Sequence, residues 1–155
     1  MLDPQPASDQ VPTEDGGYQQ YKAAGKLKGK KALITGGDSG IGKAAAILFA
    51  MEGADSYIVY LPEEEKDAQN TKAKVEEYGQ KCHLYPTNLR YKDNCKKVVD
   101  DALEKMGAIN ILFNNHATQM QRMSILELPE DQWELTFATN IHRECFIPLN
   151  AKILG

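Results

Sequence analysis

The 155-residue chain predicts an α/β domain doubly wound around a parallel sheet. Three observations predict it. Short apolar runs rich in β-branched or aromatic residues occur four times. Each is followed by a segment with apolar residues at helical spacing or with helix-start signals. Strands and helices alternate, which requires crossover connections and places helices on both faces of the sheet.

Each element has its own warrant. "KALIT" (31–35) is an apolar run that ends in a glycine cluster and reads as a buried strand. Ile41, Ala44, Ala45 and Leu48 then recur at helical spacing, with Gly53 as the stop. "SYIVY" (56–60) is the second strand. Residues 63–78 form a charged helix with Ala68, Val75 and Tyr78 on one side, ended by Gly79. "KCHLY" (81–85) is the third strand. Cys95, Val98, Val99, Ala102, Leu103 and Met106 define the cleanest amphipathic helix, closed by Gly107. "INILF" (109–113) is the fourth strand, and a last helix runs from about Pro129 to Ile147. Residues 1–26, with Pro4, Pro6, Pro12, Gly16 and Gly17, lack periodicity and read as a flexible polar arm. The domain then spans 27–147, and 148–155 is a divergent tail.

Composition narrows the function classes. A net charge of -4 and a pI near 5.4 give no basic footprint, so nucleic acid is not an expected partner. The cluster Lys26, Lys28, Lys30 and Lys31 is a solvated lead-in to the first buried strand. Three cysteines, Cys82, Cys95 and Cys145, with no CxxC pair, indicate neither a disulfide framework nor a zinc site. His83 beside Cys82 is no metal pair, because neighbours in a strand face opposite sides. No metal and no membrane are expected, and a cytoplasmic location is the default.

The loop "TGGDSGIGK" (35–43) carries the chemistry. Gly37, Gly42 and Lys43 fit the spacing of a P-loop, but Ala44 stands where that loop needs a hydroxyl for magnesium. GxGxxG is met only in its alanine form, through Gly40, Gly42 and Ala45. TGxxxGxG is met in full by Thr35, Gly36, Gly40 and Gly42. Between a strand and a helix, such a loop lets backbone approach a pyrophosphate, and the helix N-terminus supplies donors.

With "NNHA" (114–117) after the fourth strand and Asn140 in "WELTFATN", these motifs resemble the short-chain dehydrogenase/reductase family. "GGDSGIG", "EEEKDAQ" and "DNCKKVVD" are similar to its glucose and ribitol dehydrogenase-like subgroup. The resemblance covers roughly residues 18–142. It implies the N-terminal part of a Rossmann-type sheet with strand order 3-2-1-4, a nicotinamide dinucleotide as ligand, and hydride transfer between that cofactor and an alcohol or carbonyl, such as a sugar or polyol. By the same resemblance Gly36, Ser39, Gly40, Ile41 and Gly42 cradle the cofactor's pyrophosphate and ribose. Asn114 and Asn115 brace the sheet and touch the adenosine side, and Asn140 positions a water for proton relay.

Several positions depart from the family pattern. Asn88 stands where an aspartate usually meets the adenine amino group; its carbonyl still accepts a hydrogen bond. Tyr60 closes the second strand in place of the acid that selects NAD, which leans toward NADP, while Glu63–Glu65 would repel a 2′-phosphate. The cofactor is therefore NADP or NAD. His116 replaces a small residue and is expected to crowd the cofactor cleft.

The family's catalytic serine and Tyr-x-x-x-Lys have no counterpart after the fourth strand. Tyr18 and Lys22 have the spacing, but precede the first strand. Arg143, Glu144 and Pro148 break the family's helix pattern after His142, which suggests a frameshift, a retained intron or early termination. The expectation is a chain that binds cofactor weakly and does not turn over. The alternatives are a non-catalytic dinucleotide-binding or interaction module, pairing through its fourth-strand edge with itself or a full-length relative, and an unstable gene fragment.

Overall fold

The computed structural model describes residues 9–142. In chain order it holds β1 (Gln10–Pro12), β2 (Tyr18–Gln20), β3 (Lys31–Thr35), α1 (Gly40–Met51), β4 (Asp55–Tyr60), α2 (Glu65–Glu77), β5 (Cys82–Pro86), α3 (Lys92–Met106), β6 (Ile111–Asn114) and α4 (Glu130–Phe137). The central sheet is all parallel, in the order β5-β4-β3-β6. This is the 3-2-1-4 order expected for the four strands of the domain.

Alternation along the strands builds the two layers. Leu33, Tyr57 and Val59 face α3, where they bury Cys95, Val98, Val99 and Ala102. Ala32, Ile34 and Ile58 point the other way, onto Ala46 and Ala50 of α1 and Ala68 and Val75 of α2. Helices therefore cover both faces, as a doubly wound sheet requires. Each buried valine, leucine or isoleucine stabilises this arrangement by roughly 1.5–3 kcal/mol. The buried face of α3 is the one its spacing predicts, and Gly107 closes it in the left-handed region with its N–H on Leu103 O at 2.8 Å.

Boundaries shift by a few residues, with causes. β5 runs on to Pro86, which an edge strand tolerates. The last helix starts at Glu130 with Pro129 as its N-cap and gives way to a π-turn over Ala138–His142. Its expected continuation to Ile147, with Arg143, Glu144, Cys145 and the tail 148–155, lies outside the described residues.

The polar arm differs from expectation. β1 and β2 pair antiparallel, with Val11 opposite Gln19, around a turn in which Thr13 N–H donates to Gly17 O at 2.9 Å. The segment behind it is fastened by Glu52, at the end of α1. Its carboxylate accepts from Tyr21 Oη, from Ala24 N–H and from Lys26 N–H at 2.7 Å. An acceptor 26 residues away in sequence leaves no trace in local periodicity. Tyr18 and Lys22 therefore sit by the C-terminal end of α1. The glycine loop is at the other end, about 18 Å away along a twelve-residue helix.

Candidate coenzyme cleft

The C-terminal ends of β3, β4 and β6 open into a cleft of about 590 Å³, at the point where the strand order reverses. The size suits a small-molecule site. Its floor is the loop between β3 and α1. Gly36 turns there with φ +63°, and its N–H donates to Val59 O at 2.8 Å. Its carbonyl accepts from Asn115 Nδ2 at 2.9 Å. A side chain on Gly42 would put its Cβ 1.9 Å from that same carbonyl oxygen, so only glycine lets α1 start this close to the loop. From behind, Thr71 of α2 donates to Asp38 O at 2.8 Å and fixes the loop's far side.

Thr35 joins the loop to the segment after β6. Its hydroxyl oxygen accepts from Asn115 N–H at 2.9 Å and from His116 N–H at 3.1 Å. His116 Nδ1 lies 2.9 Å from the same oxygen. Two backbone donors occupy both hydroxyl lone pairs, and the hydroxyl proton has two acceptors in reach, Nδ1 at 2.9 Å and Phe113 O at 3.5 Å; the shorter contact is satisfied by a neutral ring with its hydrogen on Nε2. Burial holds this histidine below its usual pKa. Nε2 is buried without a hydrogen-bond partner, which costs about 1–3 kcal/mol.

At the N-terminus of α1, Ser39 is the N-cap residue in extended conformation and its side chain makes no capping bond. The first-turn N–H groups are thus left for a ligand, and the helix dipole adds partial positive charge. The wall beyond is acidic. Asp38 and Glu64 both line it, and Arg90 is the cation among the described lining residues. Burial, then Asp38, Glu63 and Asp67, push Glu64 above the usual carboxylate range. Tyr60 also lines the cleft and donates its hydroxyl to Glu65 at 2.5 Å.

Asn140 lies in the π-turn. Its Oδ1 accepts from Thr118 N–H at 2.8 Å and its Nδ2 donates to Thr118 O at 2.9 Å. The amide thus clasps the backbone of Thr118, in the segment after β6, by both its N–H and its carbonyl. Gln132 fixes the same segment further on, donating to Met120 O at 2.7 Å and accepting from Arg122 Nε at 2.7 Å.

Sequence comparison decides the family: residues 30–144 match the family model for short chain dehydrogenases. The chain belongs to the short chain dehydrogenase family. It is 50% identical over 121 residues to an uncharacterised oxidoreductase of Schizosaccharomyces pombe, covering 78% of this chain and 42% of that one. It is 44% identical over 147 residues to a glucose and ribitol dehydrogenase homolog of rice, Oryza sativa, covering 90% and 49%. The chain thus spans less than half the length of these relatives. Among solved structures, a Burkholderia cenocepacia short chain dehydrogenase in complex with NADP superposes with a TM-score of 0.74 at 30% identity, over 81% of this chain and 51% of that one. A Mycobacterium paratuberculosis short chain dehydrogenase bound to NAD gives 0.74 at 25% identity, over 81% and 50%. The Rossmann-type fold is shown, and both expected forms of the cofactor occur among the family's solved members.

Against this family frame, the cleft gathers Gly36, Ser39, Gly40 and Ile41 from the loop and Tyr60, Asn88 and Asn115 from three strand ends. Gly42, Asn114 and Asn140 stand behind that surface. Gly42 packs on Gly36, Asn114 pairs with Thr35 in the sheet, and Asn140 holds Thr118. Asn88 Oδ1 accepts from Arg90 N–H at 2.9 Å, which keeps one lone pair for a ligand. His116 does line the cleft, yet it is a bonded part of the wall through Thr35. Four residues escaped the sequence reading: Asp38, Thr71, Arg90 and Gln132. The charge of Asp38 inside a glycine motif is the one signal that could have marked any of them.

The residues present fit a dinucleotide. A Cβ built on Gly40 meets nothing within 4 Å, so that part of the loop is open to close approach. The uncapped helix N-terminus matches a pyrophosphate. No helix among the described residues is long and apolar enough to cross a membrane.

Proposed function

We propose that this chain supplies the adenosine and pyrophosphate half of a nicotinamide dinucleotide site for an oxidoreductase that interconverts an alcohol and a carbonyl, with a sugar or polyol as substrate class. One observation carries the reading: the glycine loop, the uncapped start of α1 and the Asn115 brace converge on a single cleft. The glucose and ribitol dehydrogenase homolog among its relatives supports the substrate class. The nicotinamide cofactor, when bound, supplies the hydride acceptor or donor. The chain's own groups bind and orient: loop N–H groups hold phosphate, Asn88 offers a carbonyl to the adenine amino group, and Asn140 fixes the segment on which a relay water would rest.

Proton transfer needs a donor within hydrogen-bond reach of the substrate. Beyond β6 the 155 residues contain no tyrosine, and Tyr18 with Lys22 lies at the wrong end of α1. The chain by itself therefore binds coenzyme and does not turn over; the serine, tyrosine and lysine come from further sequence or another chain. The border of the described sheet at β6 is where such a strand would join.

Thermal shift and calorimetry with NADP and NAD test binding. Ligand at a hundred times its Kd stabilises the fold by about 2.7 kcal/mol. A melting point unmoved by millimolar coenzyme refutes the reading. An NAD(P)H-consumption assay with sugars and polyols tests turnover, and activity at the level of full-length relatives refutes the second half.

A further inference from the structure

Among the described residues, His116 is the titratable side chain that hydrogen-bonds across the junction between Thr35, at the head of the glycine loop, and the segment after β6. Its ring nitrogen meets Thr35, its backbone N–H meets the same hydroxyl, and its Cα lies 3.1 Å from where a Gly36 Cβ would be. Its other nitrogen, Nε2, is buried without a hydrogen-bond partner, and Thr139 of the π-turn lines the same cleft. The ring is thus hydrogen-bonded to the end of β3, from the segment after β6.

The bridge tolerates one protonation state. Thr35 Oγ1 has two lone pairs, taken by Asn115 N–H and His116 N–H, and one hydrogen, with Nδ1 at 2.9 Å as its nearer acceptor and Phe113 O at 3.5 Å as the farther. A ring with hydrogens on both nitrogens would aim a third donor at an oxygen with no lone pair left. Either the ring leaves or a backbone N–H is displaced. Thr35, which meets the ring, and Gly36, which meets its backbone, carry no charge to offset this. The charged residues of the described cleft wall are Asp38, Glu64 and Arg90, and His142 in the π-turn lies tilted against Phe137.

The geometry points to His116 as a positioning residue that ties Thr35, at the head of the glycine loop, to the segment after β6 only in its neutral Nε2–H form, so that protonation unfastens the tie and opens the cleft. The tie stands on this hydrogen bonding alone; its effect on coenzyme binding rests on the function proposed above.

The test uses the whole chain, wild type and His116→Gln. The glutamine carbonyl accepts from Thr35 and does not titrate. Nitrogen-15 NMR of the wild-type ring should show an unprotonated Nδ1 at pH 7.5. Between pH 7.5 and 5.0, exchange protection of the amides at 115 and 116 should fall at least about tenfold relative to Ile34 in the wild type, the scale of a one-unit pKa difference. It should stay flat in His116→Gln. The Kd for NADH should rise about tenfold over the same range in the wild type only. A ring protonated at Nδ1, protection that ignores pH, or an equal loss in both proteins overturns the tie. Loss of protection as expected without NADH binding at any pH supports the tie and overturns the coenzyme reading instead.

Discussion

Gly42 and Gly36 meet at the base of the cleft so closely that a methyl group on the first would lie 1.9 Å from the carbonyl oxygen of the second. The obstacle is backbone, already held by Asn115 Nδ2, so it cannot swing aside as a side chain would. Gly42→Ala should cost about 3 kcal/mol or more, beyond the usual overpacking range. Urea unfolding measures it. A loss under 1 kcal/mol would show that α1 can slide away from the loop.

Thr35 offers a cleaner probe. Replacing it with valine keeps the shape and leaves the N–H groups of Asn115 and His116 without their acceptor. Each orphaned donor costs about 1–3 kcal/mol, so Thr35→Val should destabilise by about 2–6 kcal/mol. Thr35→Ser should recover most of it. Equal losses in the two variants would assign the role of Thr35 to its methyl group.

Glu64 tests the electrostatics of the wall. It lies near Asp38 beyond Tyr60, at the strand end that meets the adenosine ribose in dinucleotide-binding sheets. Removing its negative charge favours the coenzyme with the extra phosphate. Glu64→Gln should raise the ratio of NADP to NAD affinity about three- to tenfold, the size of a partly screened charge pair. Titration calorimetry with both coenzymes checks it; an unchanged ratio would place the 2′ position elsewhere.

Acid should release the N-terminal segment first. Hydrogen bonds from Tyr21, then Lys26 N–H, hold Glu52 below its ordinary value of 4.5. A carboxyl lowered by folding contributes stability above that value and loses it as pH falls through the folded pKa. Amide exchange at Ala24 and Lys26 should therefore speed up below about pH 4.5 before the β3–β4 core opens. Glu52→Gln should show the faster exchange already at pH 7. Simultaneous exposure of both regions would contradict this order.

Much of this molecule can be read along the chain, where cause and effect lie close together. The four sheet strands are short apolar runs, and the buried face of α3 follows from residues three and four apart. The glycine loop, too, is a local pattern. What escapes are contacts between distant positions. The segment behind the two three-residue strands is held by Glu52, a helix-end acid with nothing distinctive around it. The π-turn at Ala138–His142 carries Asn140, which clasps Thr118, 22 residues earlier. His116 looks like mere bulk in "NNHA", because the hydroxyl that receives it is 81 residues upstream.

Pro86 also has an effect outside its own strand. Thr87 N–H donates to Tyr60 O at 2.8 Å, so by alternation the nitrogen of Pro86 faces away from β4. Nothing within the sheet misses its absent hydrogen. On the outward flank of β5, however, a donor is lacking, and an incoming strand would find a gap in the row it needs. The protein thus carries a built-in guard against fibril-like stacking along that flank.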